Sequence, residues 1–230
     1  MELLIFADPR SAAHEAAQRL AAAASAAVAR RQRFLMALSG GRSPWEMLRL
    51  LAAMPLPWEK VYIFQVDERQ APLGHPDRNL THIRRNLLSL APLPPENLFP
   101  MPVDLADLHL AASQYAQTME DLAGLPPVLD LIQLGLGADG HTASLLPSDP
   151  VLDVVDRDVA PTGSYEGRRR LTLTYPLLNR ARCLLWLVTG AAKAKALAQL
   201  VAGDTSQPAG RLRREESVIL ADQAAAARLP

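Results

Sequence analysis

Short, predominantly apolar runs without an alternating polar face recur along the chain, with helical patterns between them: LLIF (3–6), FLMAL (34–38), VYIFQV (61–66), LDLIQL (129–134), CLLWLVT (183–189) and VIL (218–220). A strand without a polar face must be covered on both sides, and strands separated by helices are joined by crossovers rather than hairpins. The pattern therefore predicts a doubly wound α/β fold, a mostly parallel sheet with helices on both faces. Helices are expected at 11–33, 44–53, 78–89, 106–123, 191–202 and 221–228. In the first of these Ala13, Ala16, Leu20, Ala23 and Ala27 share one face, and Arg30, Arg31 and Arg33 lie near the end that favours cations. The 230 residues suit one domain, 1–230, with no repeat or clear linker. The proline-rich APLPPENLFPMP (91–102) reads as a loop, and the irregular 148–170 as a small mobile flap.

Charge narrows the partners. Lys plus Arg and Asp plus Glu are 24 each, so no global field draws the chain to nucleic acid or to an acidic membrane. Any anion site must be local, and a small molecule is the expected partner. The single cysteine, Cys183, cannot form an intrachain disulfide and sits in an apolar run, which suits a reducing compartment. The start MELLIFADPR has an acid at position 2, and its apolar run is too short for a signal peptide or a membrane span. A cytoplasmic protein is expected.

In parallel sheets ligands bind beyond the carboxyl ends of the strands, and three strand ends carry chemistry. After FLMAL comes SGGRSPWEML. Gly40 and Gly41 permit a tight turn with free N–H groups, Ser43 is a good N-cap, Pro44 suits the first helical position, and Glu46 completes a capping box. Such a helix start favours phosphate, with Arg42 nearby as counter-ion, although an ordinary capped helix reads the same way and the P-loop lysine is missing. After VYIFQV come Asp67, Glu68 and Arg69. They are either a solvated strand end or a site in which Arg69 grips a phosphate and a carboxylate orients a histidine or a sugar hydroxyl.

The third strand end is LGLGADGHTASLLP (134–147), where Gly135, Gly137 and Gly140 fit the dinucleotide fingerprint, with Asp153, Asp156 and Asp158 near the place of a ribose-binding acid. That fingerprint needs a full crossover helix, which Pro147 stops within about two turns, and it needs a small residue where His141 stands. The sequence thus argues against a nicotinamide site. His141 can act as a general base near neutral pH, and Asp139 can shape its loop or contact a substrate. Two more cations join the inventory: Arg170 before LTLT, and Lys193 at a helix start, where the dipole disfavours a cation unless an anion is bound.

Taken together, SGGRSP, VDER-x-AP followed by HPDRNL, LGLGADGHTASLLP, RLTLTYPLLNRAR and LVTGAAKAKAL resemble the family that unites 6-phosphogluconolactonases with glucosamine-6-phosphate deaminases. The resemblance spans nearly the whole chain, and DGHTASL with VDER upstream is its most specific part. It implies a Rossmann-like fold and hydrolysis of 6-phospho-D-glucono-1,5-lactone, without metal, nucleotide or other cofactor, by a monomer or weak homodimer. It implies that His141 is the catalytic histidine, and Asp139, two residues earlier, is expected to act with it. The family's phosphate-binding positions map onto Ser39, Gly40 and Gly41, Arg69 and Lys193; from the strand ends themselves, Arg42, Ser43, Asp67, Glu68 and Arg170 are the further expected substrate and phosphate contacts. Arg42 replaces a more usual small polar residue, Arg78 stands where serine is frequent, and RLRREESVIL matches only loosely.

A lactone is an activated ester, so water deprotonated by a histidine suffices. The sequence has no G-x-S-x-G elbow, HExxH or CxxC. Deaminases of the family continue from DGH toward an N-E-P; here the stretch is LLP, with Leu146 in the place of the glutamate. A non-catalytic sugar-phosphate sensor is the other alternative, and such sensors usually append a further domain.

Overall fold

The computed structural model describes residues 1–229. Seven strands form one parallel sheet: β1 (Glu2–Phe6), β2 (Phe34–Leu38), β3 (Val61–Gln65), β5 (Leu98–Phe99), β6 (Leu131–Leu134), β9 (Leu184–Val188) and β10 (Ser217–Asp222), in the order β1-β10-β9-β6-β2-β3-β5. The interior strands β2, β6 and β9 are buried at every residue, whereas every residue of the edge strand β1 is at least partly exposed. Side chains leave a strand on opposite faces in turn, so each apolar run feeds two cores. Phe34, Met36 and Leu38 of β2, with Leu185 and Leu187 of β9, face one side and pack against α1 (Pro9–Arg31) and α2 (Pro44–Ala52). Leu35, Ala37, Leu184, Trp186 and Val188 face the other side and meet α4 (Leu108–Ala123) and α6 (Ala194–Ala202).

Helix α1 starts two residues earlier than expected. Pro9 takes the first helical position, and Asp8 caps the helix by accepting from the Ser11 amide at 2.8 Å. Its buried face is Ala12, Ala13, Ala16, Ala17, Leu20, Ala24 and Ala27, side chains small enough for the helix to lie close to the sheet.

A second, antiparallel sheet of three short strands, β4 (Asp67–Arg69), β7 (Val159–Pro161) and β8 (Arg170–Leu173), is ordered β4-β8-β7. The chain bends at Val66, so that DER leaves the parallel sheet and pairs with RLT. These strands escape a search for apolar runs because they are polar or only three to four residues long. The irregular 148–170 thus supplies β7 and the start of β8.

Three expectations need correction. The capping box at Ser43 does not form: Ser43 is itself helical (φ −56, ψ −40), from where its side chain cannot reach the next turn's amides, and its hydroxyl lies 2.9 Å from Thr189 Oγ1 instead. Glu46 pairs with Arg49 at 2.7 Å. The helix at 221–228 is absent. Pairing of β10 continues to Asp222, whose carboxylate accepts from the Ala225 amide at 2.8 Å, and one closed turn on alanines is too short to propagate. Within 78–89 only α3 (Asn79–Ile83) is α-helical, followed by a wider, π-helical turn over Arg84–Leu88. The remaining helix, α5 (Tyr175–Arg180), follows β8. Among the described residues no helix is long and apolar enough to cross a membrane.

Candidate active site

The chain leaves β2 toward β3 on one side, and after β6 it continues to β9 on the other. Adjacent strands whose loops part in this way open a crevice at their carboxyl ends. A cleft of about 300 Å³ occupies that place, and it is lined by all three of the strand ends singled out in the sequence, together with Arg170 and Lys193.

The glycine turn after β2 forms one wall. Gly41 has φ +91, a conformation open to glycine, and a Cβ on Gly40 would lie 1.9 Å from Asn79 Oδ1. Ser39 is buried, its amide donating to Gln133 Oε1 at 3.2 Å, while Ser43 and the exposed Arg42 also line the cleft.

Asp67, Glu68 and Arg69 divide between two tasks. Asp67 faces the cleft and accepts from Ser144 Oγ at 2.6 Å and from Asn79 Nδ2 at 3.2 Å. Arg69 also lines it, donating through Nη1 to Asn79 Oδ1 (2.9 Å) and to the Asp77 carbonyl (2.8 Å). Glu68, expected at the substrate, turns inward and does not line the cleft. Pleat alternation sends it to the face opposite its neighbours, where its carboxylate accepts from the amides of Arg69, Asn79 and Leu80 and from Gln65 Nε2, at 2.8–2.9 Å. Arg78, with its side chain 1% exposed, pairs with Glu68 at 3.3 Å and with Asp104 at 3.0 Å. The arginine that departs from the family pattern is therefore a buried counter-ion of the fold.

The loop after β6 makes a tight turn, not a helix: the Leu145 amide donates to Thr142 O at 2.9 Å. Asp156 and Asp158 pair with Arg157 and Arg180. His141 Nδ1 lies 2.6 Å from Asp139 Oδ1, and its amide donates to the same oxygen at 3.3 Å. Burial pushes the Asp139 carboxyl up, but the facing imidazole and these hydrogen bonds outweigh it and hold the group below its ordinary value. An ionised carboxylate only accepts, so the proton of neutral His141 sits on Nδ1 and Nε2 is left as the basic nitrogen.

The electrostatics are local, as the balanced composition requires. Arg42, Arg69, Arg170 and Lys193 line the cleft against one carboxylate, Asp67. Burial and neighbouring Arg69 lower the pKa of Arg170; burial lowers that of Lys193 against the opposing pull of Asp139. The Nε groups of Arg69 and Arg170 are both buried without a hydrogen-bond partner. Crowded, desolvated cations with unused donors are costly unless an anion completes them.

Sequence reasoning missed Asn79, which ties two of the strand ends together by packing under Gly40 and bonding to both Asp67 and Arg69. It also missed Tyr165, whose ring lies 4.9 Å from the Arg170 guanidinium and 6.4 Å from the His141 ring. Asn79 stands inside the HPDRNL motif, yet nothing local distinguishes it from a surface asparagine.

Comparison with known proteins agrees with this geometry. A Synechocystis 6-phosphogluconolactonase is 43% identical over 180 residues, 76% of this chain and 75% of that protein. The crystal structure of 6-phosphogluconolactonase from Thermotoga maritima superposes with a TM-score of 0.85 at 26% identity, covering 96% of this chain and 98% of the other. A monomeric glucosamine-6-phosphate deaminase has a TM-score of 0.87 at 18% identity, with 99% and 100% covered, and so shares the fold. The family model described as glucosamine-6-phosphate isomerases/6-phosphogluconolactonase matches residues 7–220. With the same fold, and with the family's motifs converging on one cleft, the chain belongs to the glucosamine-6-phosphate isomerase/6-phosphogluconolactonase family.

Proposed function

We propose that the protein hydrolyses 6-phospho-D-glucono-1,5-lactone to 6-phospho-D-gluconate, as a step of the oxidative pentose phosphate pathway. The observation that carries this reading is the pairing of His141 with Asp139 beside a cleft in which Arg42, Arg69, Arg170 and Lys193 face a single lining carboxylate, Asp67. The names of its relatives support the same substrate. In this reading Arg69, Arg170 and Lys193, with the Ser39–Gly41 turn, hold the phosphate, and Arg42 and Ser43 stand at its edge. His141 Nε2 takes a proton from water, and the resulting hydroxide attacks the lactone carbonyl carbon. The carbonyl oxygen gains negative charge in an electropositive cleft. As the intermediate collapses, the bond from the carbonyl carbon to the ring oxygen breaks, and the imidazolium returns its proton to that oxygen. Asp139 keeps the proton on Nδ1 and stabilises the imidazolium, and Asp67 faces the sugar hydroxyls.

Deamination with isomerisation is disfavoured because Leu146, at the place of the deaminases' glutamate, is buried and does not line the cleft. The proposal extends to a single catalytic domain, monomeric or weakly dimeric, acting in the cytoplasm without a nucleic acid partner, in keeping with its balanced charge. Lactone consumption measured above the spontaneous rate is the test. Ammonia release from glucosamine 6-phosphate without lactonase activity would overturn the reading.

A further inference from the structure

Between β7 and β8 the chain reverses in a hairpin beside the cleft. Tyr165 and Arg168 exchange both backbone hydrogen bonds, at 2.9 and 3.1 Å, and the two residues between them, Glu166 and Gly167, have φ of +51 and +74. Positive φ at both central positions is the geometry of a type I′ turn, routine for glycine and uncommon for glutamate. The hairpin is tied down on one side: Arg168 Nε donates to Asp77 Oδ2 at 2.6 Å, and the Asp77 carbonyl accepts from Arg69. On the other side Tyr165 lies against Arg170 and near His141.

This turn brings one carboxylate to the cleft's most enclosed cation. The Glu166 side chain is 72% exposed, yet its Oε2 lies 3.4 Å from Nη2 of Arg170, whose side chain is 5% exposed. Among the described residues Glu166 is the ion-pair partner of Arg170. Arg69 and Lys193, in the same cleft, have no carboxylate within ion-pair distance among the described residues.

We propose that Glu166 is an internal anion that competes with the substrate's phosphate for Arg170, and so sets which anions the cleft accepts. The inference rests on the reading that Arg69, Arg170 and Lys193 receive that phosphate. A dianionic phosphate monoester engages several cations at once and displaces a carboxylate held by one weak contact. A monovalent anion meets only the cations that Glu166 leaves free. Once displaced, the exposed carboxylate returns to water at small cost, so the discrimination does not slow entry of the correct ligand.

The test is calorimetric titration of inorganic phosphate into the wild-type protein, Glu166→Gln, Glu166→Ala and Arg170→Ala, with and without added chloride. Both Glu166 variants are expected to bind phosphate about two- to fivefold more tightly, the span that removal of a long, single-contact ion pair with one exposed partner allows. Chloride should compete more strongly in those variants than in the wild type, and Arg170→Ala should bind phosphate more weakly. A merely structural role for Glu166 would weaken binding, not tighten it. If Arg170→Ala loses affinity while the Glu166 variants bind as the wild type does, or worse, the gate is overturned and the phosphate site stands. If phosphate binds none of the four proteins at millimolar concentration, the phosphate site falls and the gate with it. Failure of both Glu166 variants to fold would make the residue structural and overturn the proposal as well.

Discussion

His141 Nδ1 and Asp139 Oδ1 approach to 2.6 Å over a glycine: a Cβ built on Gly137 would lie 2.2 Å from the first atom and 2.4 Å from the second. The second glycine of LGLGADGH is thus the space in which the histidine and its carboxylate meet, not a turn for a pyrophosphate.

That relationship separates positioning from chemistry. His141→Ala is expected to lower kcat by roughly 10² to 10⁴, the usual worth of a positioned base, with folding retained. Gly137→Ala retains both side chains but forces them apart. It should cost about 10²-fold in kcat, as misplacement of about 1 Å does, with a smaller change in KM. Steady-state kinetics, corrected for spontaneous hydrolysis, check both. An alanine variant at position 141 within threefold of wild type would remove the histidine from the mechanism.

Arg69 is expected to act on the phosphate rather than on the carbonyl. Arg69→Ala should cost about 1.5 to 3 kcal/mol in kcat/KM for the phosphorylated lactone, the worth of a charge-assisted hydrogen bond, and much less for unphosphorylated gluconolactone. Equal penalties on the two substrates would withdraw the phosphate assignment.

Lys193 predicts a pH dependence of binding. Burial lowers its pKa, so the ammonium loses its proton at a lower pH than an exposed lysine does. Affinity for a phosphate dianion should be full below that lowered pKa and fall as pH rises through it. Titration of the product, 6-phosphogluconate, between about pH 7.5 and 10.5, where the phosphate is already dianionic, measures this without the unstable lactone. Lys193→Gln should bind more weakly and flatten the alkaline fall. An unchanged slope would show that another group carries it.

Glu68 should behave as part of the fold. Glu68→Ala removes the buried one of the two carboxylates that pair with Arg78, leaving the partly exposed Asp104, and also removes the acceptor of three amides, so a loss of about 3 to 5 kcal/mol is expected in denaturant unfolding. Were stability unchanged and KM raised, Glu68 would belong to the substrate after all.

What the sequence by itself determined is whatever short-range physics writes into local pattern. Wholly apolar runs such as FLMAL and LLWLV leave no polar face for solvent, and this alone demands a parallel sheet covered on both sides. Glycines and charges at the ends of those runs marked the three loops that line the cleft, since backbone freedom and unneutralised charge are legible residue by residue. Only the tertiary structure decided the rest. Asp67, Glu68 and Arg69 look alike in sequence, but pairing of β4 with β8 turns Glu68 to the interior and its neighbours to the cleft. Ser43 and Glu46 have the spacing of a capping box, yet Thr189, 146 residues away, takes the serine hydroxyl. The alanines after Asp222 favour helix, but strand pairing and an aspartate turn use up the backbone first. Asn79 and Glu166 acquire their meaning from partners distant in sequence or from a turn geometry unusual for the residue. Local free-energy preferences are about 1 kcal/mol or less per residue, and a buried hydrogen bond or strand register that only the folded chain brings together outweighs them.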